Sequence, residues 1–119
     1  MRYKIVKLDG RWSYRKYFEY AVIFSARMSN SQGPMQFAQA QKYFFDIYGW
    51  SAEIRQWADI REYHHNVWNY TKPPPPPVGI MPECVNPMWS WTNGYEDLRI
   101  YVKSQQELTL FTLKYPVDQ

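Results

Sequence analysis

The sequence predicts an α+β fold: a small, mostly antiparallel sheet, built from an N-terminal hairpin plus a late strand, with three helices on one face. Three observations carry this prediction. The first 26 residues show the alternating pattern of a strand pair, the middle shows apolar residues at helical spacing, and a late strand pattern precedes a last helical segment. At 119 residues the chain has the length of a single domain with its own core.

The N-terminal strands are predicted from alternation and turn chemistry. Residues 2–8 (RYKIVKL) are rich in β-branched and aromatic side chains, and residues 9–10 (DG) are typical of a hairpin turn. Residues 12–26 carry aromatic or apolar side chains on even positions, with Lys16 as the exception. We expect one long strand there, whose far end is buried on both faces.

The helices are predicted from spacing and end signals. Gly49 supplies the stop of the first helix, whose first turn suits Pro34, and Ser51 can cap the second. A capping box over residues 104–107 (SQQE) begins the third. A strand is the alternative for residues 52–60. The helices are expected at residues 35–48, 52–65 and 105–114.

A proline-rich segment connects the second helix to the late strand. Residues 70–87 contain seven prolines, five of them consecutive, without periodicity. Consecutive prolines adopt an extended polyproline II conformation, so we expect a stiff strap over the protein's own tryptophans; docking into an aromatic groove of another protein is the alternative. Residues 86–97 are expected to be a loop with a turn at residues 93–94, and residues 97–103 the late strand.

The composition favours a binding protein. Tyr, Trp and Phe account for 23 of the 119 residues, more rings than one small core needs, which indicates a binding surface. Cys84 is the only cysteine, which excludes an internal disulfide and fits a reducing compartment. Neither a signal-peptide pattern nor an apolar run near the about 18 residues of a membrane span is present, so we expect a cytoplasmic protein without membrane contact.

Positive charge is concentrated near the N-terminus. Residues 1–17 hold six basic side chains and one acidic side chain, whereas residues 18–119 hold eight basic and ten acidic ones. The basic character is therefore interpreted as belonging to the N-terminal segment alone. Alternating cations and rings can contact phosphates and stack on bases, and a negatively charged protein is the other partner considered. The candidate binding residues are Arg11, Trp12, Tyr14, Arg15, Lys16 and Tyr17. The alternative is an amphipathic strand pair with rings inward and cations in water.

The sequence gives little evidence of a catalytic site or a metal site. Two adjacent histidines, His64 and His65, and Cys84 are too few for the four N or S ligands that zinc usually takes, and Cys84 has no feature that would lower its pKa. No nucleophile–base spacing and no phosphate-binding glycine loop is present. We predict neither metal, cofactor nor enzymatic activity.

Three short motifs resemble a group of small uncharacterised proteins of tailed bacteriophages. The motifs are NP-x-W-S at residues 86–90, R-I-Y-V-K at residues 99–103 and L-T-x-F-x-L-K-Y at residues 108–115. Residues 48–54 (YGWSAEI) are similar as well. The resemblance covers roughly half of the chain, implies a virus-encoded protein and implies no particular activity.

The prediction is therefore a non-enzymatic bacteriophage protein that acts by binding. In the first hypothesis it modulates a host macromolecule, protein or nucleic acid, in the host cytoplasm through the basic N-terminal hairpin. In the second it is a virion or assembly component, and the excess aromatics serve contacts between subunits of a homo-oligomer.

Overall fold

The computed structural model describes residues 1–12, 14–25, 32–66, 85–94 and 97–117. It confirms an α+β fold with three helices and one four-stranded antiparallel sheet. No helix in these ranges is long and apolar enough to cross a membrane. In chain order the elements are β1 (Lys4–Lys7), β2 (Tyr20–Ser25), α1 (Gln32–Tyr48), α2 (Ile54–Asn66), β3 (Trp89–Asn93), β4 (Asp97–Val102) and α3 (Gln105–Lys114).

The sheet has the strand order β1-β2-β4-β3 and every neighbouring pair is antiparallel. Val22 lies opposite Ile100, which in turn lies opposite Trp91. Ala21 lies opposite Tyr101. Because opposite residues project to the same side of a sheet and successive residues to opposite sides, these two rows define a first and a second face.

The first face is covered by α1 and α3. Helix α1 contributes Phe37, Ala40 and Phe44, and α3 contributes Leu108 and Phe111, to one cluster with the apolar residues of β2 and β4. Phe44 and Phe111 are fully buried, and their ring centroids lie 5.3 Å apart. This cluster is the larger of the two cores.

The second face is covered by α2 and by the segment between β1 and β2. Ile54 and Trp57 of α2 pack with Phe18, Ala21 and Tyr101 in a separate cluster. The prediction that all helices lie on one face is therefore wrong. The physical reason is that β2 and β4 carry apolar side chains on both faces, and each apolar face must be covered.

The predicted strand over residues 12–26 is wrong in its first half, where the chain forms turns. The backbone N–H of Arg15 donates to the Trp12 carbonyl at 3.3 Å, and that of Tyr17 donates to the Tyr14 carbonyl at 3.0 Å. The four-residue strand β1 is too short to pair with residues 12–17. The backbone groups of these residues therefore bond to one another. The DG sequence does form a turn, but β1 and β2 are joined by the whole of residues 8–19 rather than by that turn alone.

The predicted loop over residues 86–97 is also wrong, because it contains strand β3. The pairing of Trp89 with Val102 fixes its register against β4, so the sheet has two late strands rather than one. The N–H of Gly94 donates to the Asp97 carbonyl at 3.0 Å. A Cβ at Gly94 would lie 2.7 Å from that oxygen, so this close approach requires glycine.

The helix ends follow the sequence signals in part. Gly49 ends α1 with a φ of +92°, as expected of a C-terminal glycine. Helix α1 starts two residues before Pro34, which lies in its first turn. At α3 the predicted capping box is wrong in its bonds: the Ser104 side chain makes no cap bond and donates instead to the Glu107 carboxylate.

The predicted proline-rich strap at residues 70–87 lies outside the described residues, except for residues 85–87. The side chains of His64 and His65, and the whole of Cys84, also lie outside them.

Candidate binding face

The six candidate binding residues divide by side-chain type. Arg11, Arg15 and Lys16 are exposed, whereas the three rings are half-buried and belong to the periphery of the second core cluster. The Tyr17 ring lies 4.9 Å from the Trp57 ring in an edge-to-face arrangement. The structure therefore has the rings inward and the cations outward, as in the alternative, but on turns rather than on an amphipathic strand pair.

Trp12 and Tyr14 make equally specific inward contacts. The Tyr14 ring packs edge-to-face on Tyr101 at 5.6 Å, and its burial raises the pKa of the Tyr14 hydroxyl. The guanidinium carbon of Arg99 lies 5.1 Å from the Trp12 ring centroid, a cation–π distance. Neither ring is therefore a free platform for stacking.

Arg11 is engaged by its own turn. Its guanidinium contacts the Asp9 carboxylate at 3.0 Å, and the hydrogen bonds from Arg11 lower the pKa of Asp9. The pair is fully solvated, so its contribution to stability is small. Because Asp9 partly neutralises its charge, Arg11 should attract an anionic partner least among the three predicted cations.

Five cations lie together around two neighbouring depressions of the surface. Two open depressions, of about 570 Å³ and 430 Å³, adjoin each other and share Lys16 as a lining residue. The first contains Lys7 and Arg15, and the second contains Arg61 and Lys103. The term basic face is used below for Lys7, Arg15, Lys16, Arg61 and Lys103.

Most of the charge on this face is unpaired. The Lys16 ammonium donates to the Glu62 carboxylate at 3.3 Å, and its hydrogen bonding with Tyr17 and with Glu62 raises the pKa of Lys16. Within the described ranges the other four cations make no ion pair. Among the described residues, Glu19 lines the first depression and Glu62 pairs with Lys16, so two carboxylates stand against five cations there.

The interpretation that positive charge belongs to the N-terminal segment alone is thus incomplete. Arg61 comes from α2 and Lys103 directly follows β4, and folding brings both to Lys16. The sequence offered one weak signal, since Arg61 interrupts the apolar stripe of α2 next to the buried Ile60. Nothing in the sequence marked Lys103.

A third depression lies on the second sheet face, but its charges are already satisfied. It is about 510 Å³ in volume and includes Arg55 and Arg99. Arg55 pairs with Glu53 and Arg99 with Asp97, each at 3.2 Å. Because each guanidinium already has a carboxylate, this depression offers less attraction to a charged partner than the basic face does.

Residues 86–91 and 48–54 form a structural junction. The indole N–H groups of Trp89 and Trp91 donate to the carbonyls of Gly49 and Ser51 at 2.9 and 3.0 Å. The Ser90 hydroxyl donates to the Ala52 carbonyl at 2.7 Å. Residues 86–91 therefore hold residues 48–54 along the edge of β3, and the two segments contact each other.

Metal and catalytic groups are sparse in the part of the chain that the structure describes. No cluster of three or more His, Cys, Asp or Glu that could hold a metal ion occurs there. The predicted absence of enzymatic activity stays a prediction. Comparison of the chain with protein-family models, with curated proteins and with solved structures finds no match.

Proposed function

We propose that this chain is a non-enzymatic, bacteriophage-encoded protein that binds an anionic macromolecule of the host through the basic face. The observation that carries the proposal is the concentration of unpaired charge. Four cations without a carboxylate partner in the described ranges, together with Lys16, line two adjoining depressions. The phage origin and the location in the host cytoplasm rest on the resemblance of the motifs.

The physical basis is a local positive potential on a supported surface. The turns of residues 12–18 are anchored through Tyr17 and Phe18, whose ring centroids both lie 4.9 Å from that of Trp57. Arg15 and Lys16 therefore lie next to residues that pack against α2. Unpaired surface cations attract a polyanion over a Debye length of about 10 Å at 0.1 M salt and release its counterions on contact. Binding should thus weaken steeply as salt rises.

Charge reversal on the basic face should weaken the retention of the protein on a polyanion. We expect the variant R15E/R61E/K103E to elute from immobilised heparin at much lower salt than the wild type, because three unpaired cations become anions. The matched control is R2E/K42E/K114E, which changes the net charge equally on exposed residues near or within α1 and α3. Equal shifts for both variants would show that net charge rather than the basic face governs retention.

A second candidate function, a virion or assembly component, is supported by exposed apolar side chains. Met35, Phe45 and Leu113 are 67%, 48% and 74% exposed, and large exposed apolar residues favour subunit contacts where they cluster. Size exclusion with light scattering separates the candidates. A discrete large oligomer indifferent to a single-stranded oligonucleotide supports assembly, whereas a small species that shifts with it only at low salt supports the basic face.

A further inference from the structure

We propose that the smaller depression of the basic face accepts an unstacked base of single-stranded nucleic acid, while the strand's phosphates contact the cations around it. This inference rests on the proposed function and names the class of its partner. The depression is called the base pocket below. Its lining residues used here are Lys16, Tyr17, Trp57, Arg61, Val85 and Lys103.

The floor of the base pocket is apolar and held in place. Trp57 is only 3% exposed, and its indole N–H donates to the Asn86 carbonyl at 2.8 Å. Tyr17 packs edge-to-face against it, and the Tyr17 hydroxyl donates to Glu62 at 3.2 Å. Val85 completes the apolar wall. A planar apolar ligand can therefore enter a preformed hollow, which spares the cost of ordering side chains on binding.

The rim of the base pocket carries three cations from three parts of the chain. The Lys16 ammonium lies 5.0 Å from the Tyr17 ring centroid, while Arg61 and Lys103 form no ion pair within the described ranges. An apolar hollow with a cationic rim fits a ligand that has a flat ring joined to a dense negative charge. A nucleotide unit has both parts, since its base is a π surface and its phosphate is an anion.

The extent of the basic face favours a chain-like polyanion over an isolated anion. The base pocket and the neighbouring depression share Lys16, so that Lys7 and Arg15 continue the positive surface beyond it. A phosphodiester backbone can follow such a surface while one base turns into the pocket. A duplex keeps its bases paired and stacked, so it can contact the cations but cannot fill the pocket without unpairing a base. The geometry therefore favours a single strand.

The inference is tested by removing the bases while keeping the phosphates. Fluorescence anisotropy at low salt compares a labelled 12-nucleotide thymidine oligomer with an abasic oligomer of the same length and with a 12-base-pair duplex. We expect the thymidine oligomer to bind about tenfold more tightly than the abasic one, the ratio expected when one base contacts an aromatic side chain. Poly-glutamate of similar charge should bind no better than the abasic oligomer.

Each outcome separates the inference from the proposed function. If the thymidine and abasic oligomers bind equally, the base pocket is refuted while the basic face stands as an anion-binding surface. If poly-glutamate binds most tightly, the partner is an acidic protein and the inference is overturned. If no probe binds and retention on heparin is also lost, both proposals fail together.

The variant Tyr17→Leu tests the same inference from the side of the protein. We expect this variant to bind the thymidine oligomer no more tightly than the abasic oligomer, because the substitution removes the ring that contacts the base and changes no formal charge. Tyr20→Leu is the control, since Tyr20 donates to Gln105 of α3 on the other side of the sheet. Should Tyr17→Leu fail to fold, the comparison of the wild type with the oligomers decides the question by itself.

Discussion

Replacement of Phe44 by alanine is expected to lower the free energy of unfolding by about 4 kcal/mol, a large part of the roughly 5–15 kcal/mol typical of a domain. Phe44 is fully buried in the cluster on the first sheet face. Its ring stacks on Trp89 with a centroid distance of 5.6 Å and on Phe111 at 5.3 Å. It also meets the edge of Tyr43 at 5.1 Å. One truncation therefore opens a cavity where α1, α3 and β3 meet.

The measurement is urea unfolding followed by tryptophan fluorescence. Phe45→Ala is the matched control, because the next residue of the same helix is 48% exposed and should lose less than about 1 kcal/mol. Similar losses for the two variants would mean that the stacked ring cluster does not hold α1 and α3 to the sheet. If the Phe44→Ala protein is unfolded while the Phe45→Ala protein is folded, the result agrees with the expectation.

Replacement of Asn86 by aspartate is expected to lower the free energy of unfolding by about 3 kcal/mol, although the side chain keeps its shape. The Asn86 amide nitrogen donates to the Tyr48 carbonyl at 2.8 Å and more weakly to the carbonyls of Gly49 and Trp50. An ionised carboxylate cannot donate, and its charge would face these carbonyl oxygens in a site that is only 8% exposed. The C-terminal end of α1 would lose its side-chain bonds to the segment that precedes β3, and the indole bond from Trp89 would remain.

Thermal unfolding at neutral pH checks this expectation. Asn93→Asp is the control, since it makes the same change at an exposed residue at the end of β3 and should shift the melting temperature little. An Asn86→Asp protein that melts with the wild type would show that the amide bonds are dispensable. The junction between residues 86–91 and 48–54 would then be held by the tryptophan indoles.

The junction changes how the motifs are interpreted. Residues 86–90 and 48–54 combine tryptophans with small polar residues. In the structure Trp89 and Ser90 use their polar atoms on backbone carbonyls of the other motif. Buried polar groups of this kind are costly to leave unsatisfied, so these residues are expected to matter for folding rather than for contact with a partner.

The sequence alone determined the class of fold and most element positions, because those depend on local periodicity and end signals. Helix α3 begins and ends at the predicted residues, and Gly49 ends α1 as expected. The sequence also located three exposed cations of the N-terminal segment, which are Arg11, Arg15 and Lys16. All of these features could be predicted because hydrophobic periodicity and helix capping depend on residues that are close in the sequence.

Only the tertiary structure decided which residues lie together. Alternating rings over residues 12–18 fit a strand, yet β1 is too short to pair with them, and turns let the rings cover the second face of the sheet. Strand β3 became a strand because β4 offers it backbone partners, a property that no local pattern encodes. Arg61 and Lys103 joined Lys16 because α2 packs on the second face beside the end of β4. A binding face built from distant segments is therefore set by packing, whereas its individual charges are set by the sequence.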